Sequence, residues 1–132
     1  MYYYIQYEHA RICSLEKKAG LKDFLAEDIS EDHLDICSNL IHEISKYPNV
    51  LEKTCNNLSP HLLIFYLKDL ASIFHNFYND NKILDKSESE KLTILAVTHA
   101  AKEIIADSLS LLGVKALEAV SYTHLRAHET WS

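Results

Sequence analysis

The amino-acid sequence predicts an all-α protein, an antiparallel bundle of about five helices. Its 132 residues include only 2 glycines and 2 prolines, too few for the many tight turns of a sheet-rich fold. Apolar residues recur at intervals of three and four along several segments, which is the period of a helix with one buried face. Short polar links separate these segments, and short links join antiparallel neighbours. A chain of this length fits one domain with a single core.

The first predicted helix covers residues 2–19 and ends at Gly20, a residue that suits a helix C-terminus. A polar and aromatic stripe, at spacing i, i+3 and i+7, runs beside its apolar side. The stripe consists of Tyr4, Tyr7 and Arg11, and the apolar side carries Ile5, Ile12 and Leu15.

A connector at residues 21–29 leads to a second predicted helix, which begins with Ser30 as its N-cap and runs to Lys46. Pro48 opens a short third helix that ends near Leu58, because proline is tolerated in the first helical turn.

The fourth helix begins at Ser59-Pro60, a serine cap followed by a proline in the first turn, and runs to about Tyr78. The Asn-Asp-Asn sequence at 79–81 breaks it. Apolar residues occur over most of its surface, so we expect it to be central and buried from several sides. Its predicted core positions include Leu63, Leu67, Leu70 and Phe74.

The fifth helix begins at Ser87-Glu88-Ser89-Glu90, which matches a capping box, and stops at Gly113. Residues 1–118 are therefore predicted to form the domain. Residues 119–132 have no helical periodicity and resemble translated vector or adapter DNA, so we predict a non-native tail there.

The composition excludes several classes of function. The chain holds no GxGxxG, GxxxxGK[ST], HExxH or GxSxG sequence, and no catalytic residues are predicted. Its three cysteines are far apart and its eight histidines are scattered, so we predict no metal site and free thiols in a reducing cytoplasm. No membrane span and no secretory signal are predicted.

The formal charge of −6 is unfavourable for a nucleic-acid binder, but it is unevenly distributed. Residues 1–22 carry a balance of +2, whereas residues 23–35 carry six acids and no base. Charge alone therefore neither establishes nor excludes an RNA partner.

Two long motifs, YIQYEHARICS at residues 4–14 and a second one in the central helix between residues 59 and 79, resemble the C-terminal anticodon-binding domain of arginyl-tRNA synthetases, class I enzymes. Residues 4–14, YIQYEHARICS, resemble the YxQYxHxRxxS stretch that opens this domain. The central helix supplies SPHLL, YLKDLA and FHNFYN between residues 59 and 79. A weaker match is LLGV at 111–114, which looks like the closing segment of the family.

The resemblance implies an α-helical bundle of the class I synthetase anticodon-binding type, often called the DALR domain. Its implied function is to bind the anticodon loop of tRNA(Arg) and to position this tRNA for ATP-dependent arginylation. The catalytic domain of the same parent chain, absent from these residues, is the implied second partner. No cofactor is expected in this fragment, and ATP is expected as a substrate of the parent enzyme.

The resemblance also implies which residues contact the tRNA: Tyr7, Arg11, Tyr78, Tyr4 and Asn79. Unpaired bases can stack on aromatic rings and bond along their exposed edges, which suits these residue types. Without the resemblance, Tyr7 would be an ordinary half-buried tyrosine, and Arg11 would pair with Glu8 at i, i+3. Family members commonly end in a methionine after the closing segment, whereas this chain has Ala119 and Val120 there.

Two other functions remain open at this point. The aromatic stripe could be the interface of a helical protein–protein interaction module. The bundle could also be the anticodon-binding domain of another class I synthetase.

Overall fold

The computed structural model describes residues 2–19 and 31–114, and every regular element within these two ranges is helical. The predicted all-α class is confirmed. Two short 3₁₀ segments, Glu31–Cys37 and Ile83–Asp85, accompany the α-helices. The α-helices are α1 Tyr2–Ala19, α2 Ser38–Ser45, α3 Tyr47–Asn57, α4 Pro60–Asp80 and α5 Glu88–Leu111.

A single residue, Lys46, separates α2 from α3. Its backbone angles, φ −78° and ψ −15°, are themselves helical. Its amide donates to the carbonyl of Glu43, and its carbonyl accepts from Val50, so hydrogen bonding continues through the joint. If α2 and α3 are counted together as one bent helix, the described part of the bundle has four helices, where about five were predicted.

The start of the second predicted helix differs from the prediction. The α-helix begins at Ser38, and the preceding turn is a 3₁₀-helix that ends at Cys37. Leu34 and Cys37 are three residues apart, a spacing that aligns side chains in a 3₁₀-helix, whereas Cys37, Leu40 and Ile44 follow the α period. Ser30 and Gly20, the predicted cap residues, lie outside the described residues.

Helix α4 is the central element, as predicted. It packs against α1, α2, α3 and α5. Its four predicted core residues are no more than 1% exposed: Leu63, Leu67, Leu70 and Phe74. One aromatic residue of α4 departs from this pattern, since Phe65 is 54% exposed.

The two predicted serine caps behave differently. The hydroxyl of Ser87 accepts from the amide of Glu90 at 3.4 Å, which confirms the cap of α5. Ser59 occupies the cap position of α4 without capping it, because its hydroxyl donates to the carbonyl of Asn57 at 3.1 Å. Leu58, just before it, adopts a left-handed conformation with φ 51°, which turns the chain sharply between α3 and α4.

In the described ranges, no helix combines the length and apolarity needed to cross a bilayer. The same residues contain no group of three or more His, Cys, Asp or Glu side chains that could hold a metal ion.

Candidate nucleic-acid interface

The polar stripe of α1 lies against the C-terminal third of α4. Ile5 and Ile12 of α1 and Phe74 of α4 are fully buried in the same core, which fixes these two helices side by side. Side chains on the adjoining faces of the two helices therefore meet at one edge of the bundle. They form the Arg11 cluster, which consists of Tyr7, Glu8, Arg11, His75 and Tyr78.

The guanidinium of Arg11 lies between two tyrosine rings. Its Cζ atom is 4.3 Å from the ring centroid of Tyr78 on α4 and 5.7 Å from that of Tyr7 on α1. Both distances are within the range of a cation–π interaction. The side chain of Tyr7 is 39% exposed. The ring of Tyr78 also packs against the buried ring of Phe74, and the two ring centroids are 5.9 Å apart. The structure thus brings together the three residues on which the predicted interface depends.

Glu8 and His75 complete the cluster beneath Arg11. The Nη1 atom of Arg11 donates to Oε1 of Glu8 at 3.2 Å and lies 2.8 Å from Nδ1 of His75. Oε1 of Glu8 is also 3.1 Å from that Nδ1 atom. Glu8 is completely buried. The pairing of Arg11 with Glu8, which the sequence offered as an alternative role for Arg11, is therefore present together with the contacts to the two rings.

Tyr4 and Asn79 border the cluster beside His75. The hydroxyl of Tyr4 donates to Oγ of Ser72 at 3.4 Å, and its ring lies 6.4 Å from that of His75. Nδ2 of Asn79 is 3.1 Å from Nε2 of His75, and Asn79 is exposed. All five predicted residues therefore lie on one face of the molecule, with His75 linking the outer two to the inner three.

The sequence did not predict that His75 lies beside Arg11 or that Glu8 is buried. The i, i+3 spacing of Glu8 and Arg11 is a local signal, and it predicted their pairing correctly. No local signal connects Glu8 with His75, which is 67 positions away. Only the packing of α1 on α4 brings these two side chains together.

A cavity of about 420 Å³ opens beside Tyr78, between the end of α1 and the link from α4 to α5. Leu15 and Ile83 contribute apolar wall, and Asn79 and Lys82 contribute polar groups. Lys82 is exposed and forms no ion pair with any residue of the described ranges. Aromatic and amide groups around one opening can accept a base, whereas the carboxylate of Asp85, which also lines the opening, offsets the charge that Lys82 offers to a phosphate.

A second surface lies at the opposite end of α4. This apolar groove, about 340 Å³, is formed by the end of α3, the start of α4 and the end of α5. Leu58 and Leu111, which line it, are 87% and 67% exposed. Its lining among the described residues contains no charged side chain, so this part of the groove does not resemble a nucleic-acid site.

Comparison with protein families agrees with this fold and with the motifs on α1 and α4. Residues 5–120 match the family model of the DALR anticodon binding domain. The chain belongs to this family of helical anticodon-binding domains.

Relatives of this chain include arginine–tRNA ligases. One from Psychrobacter is 40% identical over 131 residues, covering 86% of this chain and 22% of the relative. One from Burkholderia thailandensis is 37% identical over 120 residues, covering 86% and 20%. The solved arginyl-tRNA synthetase of Thermus thermophilus superposes with a TM-score of 0.75 at 25% identity, covering 89% of this chain and 21% of that one. The chain thus spans about a fifth of the length of the relatives it matches, and the family predicted from its motifs is confirmed.

Proposed function

We propose that this chain binds the anticodon loop of tRNA(Arg) and positions that tRNA for ATP-dependent arginylation by the catalytic domain of the same parent protein. The observation that carries the proposal is the Arg11 cluster, in which a guanidinium is held between tyrosines from two helices. The relatives' names, arginine–tRNA ligase, support the identity of the tRNA. We place the parent protein in the cytoplasm and the ligase reaction in the part of the relatives that this chain does not match.

Aromatic stacking supports the proposal because it does not depend on net charge. Each base that stacks on an aromatic side chain contributes about 1–3 kcal/mol. An exposed Tyr7 ring can therefore hold an unpaired base on a chain whose formal charge is −6. The proposed contacts are Tyr7, Arg11 and Tyr78 at the centre and Tyr4 and Asn79 at the margin.

Arg11 also offers donors for reading a base edge. Nη1 is used inside the cluster, whereas Nη2 and Nε form no hydrogen bond with any described residue. A guanidinium presents its N–H groups in a rigid fork that matches two acceptors on a base. This arrangement supports the proposed preference for particular anticodon bases.

The test is binding of an in vitro transcribed arginine tRNA, compared with the same transcript carrying a changed anticodon. We expect the unaltered tRNA to bind more tightly. Replacement of Tyr7 by alanine should weaken its binding about 5- to 150-fold, the loss of one stacking contact. Arg11→Lys should reduce the preference for the arginine anticodon, because lysine keeps the charge that pairs with Glu8 but loses the planar fork.

Phe65→Ala is the matched control. Phe65 is an exposed aromatic residue on α4, thirteen positions from Tyr78, and lies outside the Arg11 cluster. Its replacement should leave tRNA binding unchanged. Equal affinity of the unaltered protein for the two transcripts would refute the proposal and favour a protein-interaction module.

A further inference from the structure

The surroundings of Arg11 cancel its charge. Glu8 is completely buried, and its carboxylate accepts from Nη1 of Arg11 at 3.2 Å. The Arg11 side chain is itself only 18% exposed. A buried carboxylate loses its hydration, a loss that is offset only when a counter-charge stays in contact. If Arg11 turned toward a distant phosphate, the buried carboxylate of Glu8 would lose its contact with the guanidinium.

The second oxygen of Glu8 strengthens this constraint. Oε2 is buried and has no hydrogen-bond partner among the described residues. The carboxylate thus depends on two contacts of Oε1, one with Arg11 and one with the Nδ1 atom of His75. Nη1 of Arg11 lies 2.8 Å from the same Nδ1 atom. Nδ1 either donates to Glu8 or accepts from Arg11, depending on the tautomer, so His75 supports one of these two partners while Glu8 holds one end of the guanidinium inward.

We infer that Glu8, assisted by His75, is a positioning residue for RNA recognition by Arg11. Resting on the function proposed above, the inference states how Arg11 acts. Glu8 keeps the guanidinium over the Tyr78 ring, removes its net charge and leaves Nη2 and Nε without a hydrogen bond to any described residue. Arg11 then contributes a donor fork for one base edge, and it does not serve as a phosphate contact. The ligand of this assembly is an unpaired nucleobase.

The test measures tRNA affinity at several salt concentrations for the unaltered protein and for Glu8→Gln. The substitution keeps the size of the side chain and removes its charge. Arg11 then becomes a free cation that can reach a phosphate, so the dependence of log K on log salt should steepen by about 0.7, one phosphate contact on a single strand. The preference for the arginine anticodon should fall about tenfold because the guanidinium is no longer fixed. A purely structural role for Glu8 would lower stability without changing the salt dependence.

His75→Ala provides a second variant in case Glu8→Gln does not fold. His75 is 38% exposed, so its removal leaves the core intact, and Glu8 still neutralises Arg11. We expect the anticodon preference to fall about threefold with the salt dependence unchanged. Glu8→Asp, which keeps the charge, should retain the salt dependence of the unaltered protein.

The outcomes separate this inference from the proposed function. If the unaltered protein prefers the arginine anticodon and Glu8→Gln changes neither that preference nor the salt dependence, the positioning role is refuted and the proposed function stands. An unchanged preference in His75→Ala refutes the inference where the Glu8 variant is unfolded. An unaltered protein with no preference refutes the proposed function itself.

Discussion

One buried polar group outside the Arg11 cluster, the hydroxyl of Tyr66, is satisfied by a contact between distant parts of the chain. The hydroxyl of Tyr66, in the core, donates to the carbonyl of Glu43 at 2.7 Å. Burial, followed by the nearby Glu43 charge, raises the pKa of Tyr66 well above its ordinary value, so it remains a neutral donor. Glu43 in turn accepts from Lys46 at 3.1 Å. One core tyrosine thus connects α4 to the bend between α2 and α3.

The cysteines should differ sharply in reactivity. Cys37 is 1% exposed, and burial, opposed in part by Lys86, raises its pKa to about 11. At pH 8 only about a thousandth of it is thiolate, the reactive form. Cys55 is exposed and should react with a disulfide reagent at least about a hundredfold faster than Cys37. Labelling of Cys37 should accelerate as the pH rises toward 11.

Mass spectrometry of the time course identifies which cysteine has reacted. The guanidinium-unfolded protein is the control, in which the three thiols should label at similar rates. Comparable rates for Cys37 and Cys55 in the folded protein would contradict the burial of Cys37.

At the scale of the helices, periodicity and end signals predicted most of the bundle, and long-range pairing was not predictable. The ranges of α1, α4 and α5 follow from apolar spacing and from the Ser-Pro and Ser-x-x-Glu signals, which act within a few residues. Of the interface, Tyr7 and Arg11 share one helix face, so their proximity follows from spacing. The assignment of Tyr78 to the interface came only from the resemblance to the family. The contact between Glu8 and His75 depends on how α1 packs on α4. The spacing of residues along the chain does not predict that packing.

Capping should matter for α5 and not for α4. Ser87→Ala removes the hydroxyl that accepts from Glu90, so it should lower the free energy of unfolding by about 1 kcal/mol. Ser59→Ala is the matched control, because that hydroxyl makes no capping bond, and its cost should stay below about 0.5 kcal/mol. Urea unfolding followed by circular dichroism measures both values. A larger loss for Ser59→Ala would show that the assignment of caps is wrong.

At the scale of the whole molecule, contacts between the first and last described helices close the bundle. Glu16 of α1 accepts from Lys102 of α5 at 2.8 Å, across 86 positions of sequence. Leu112 and Val114, just after α5, still pack against the core. The domain therefore extends at least to residue 114, and the boundary at 118 stays a prediction.

We predict that residues 119–132 contribute nothing to stability, since their sequence lacks the apolar spacing of a packed element. A chain ending at residue 118 should unfold at the same temperature, within about 1 °C, as the full chain. A chain ending at residue 110 is the control, because it also loses Leu112 and Val114 and should melt lower. A lower melting temperature after removal of 119–132 alone would refute the predicted boundary.

The length of α4 keeps its two surfaces apart. Tyr78 of the Arg11 cluster and Leu63 of the apolar groove are fifteen residues apart on one helix, a rise of about 22 Å. Because both are anchored on the same rigid rod, a macromolecule seated at one end need not collide with a second seated at the other. Two molecules bound at these surfaces would therefore be held a fixed distance apart by the helix that joins the two surfaces.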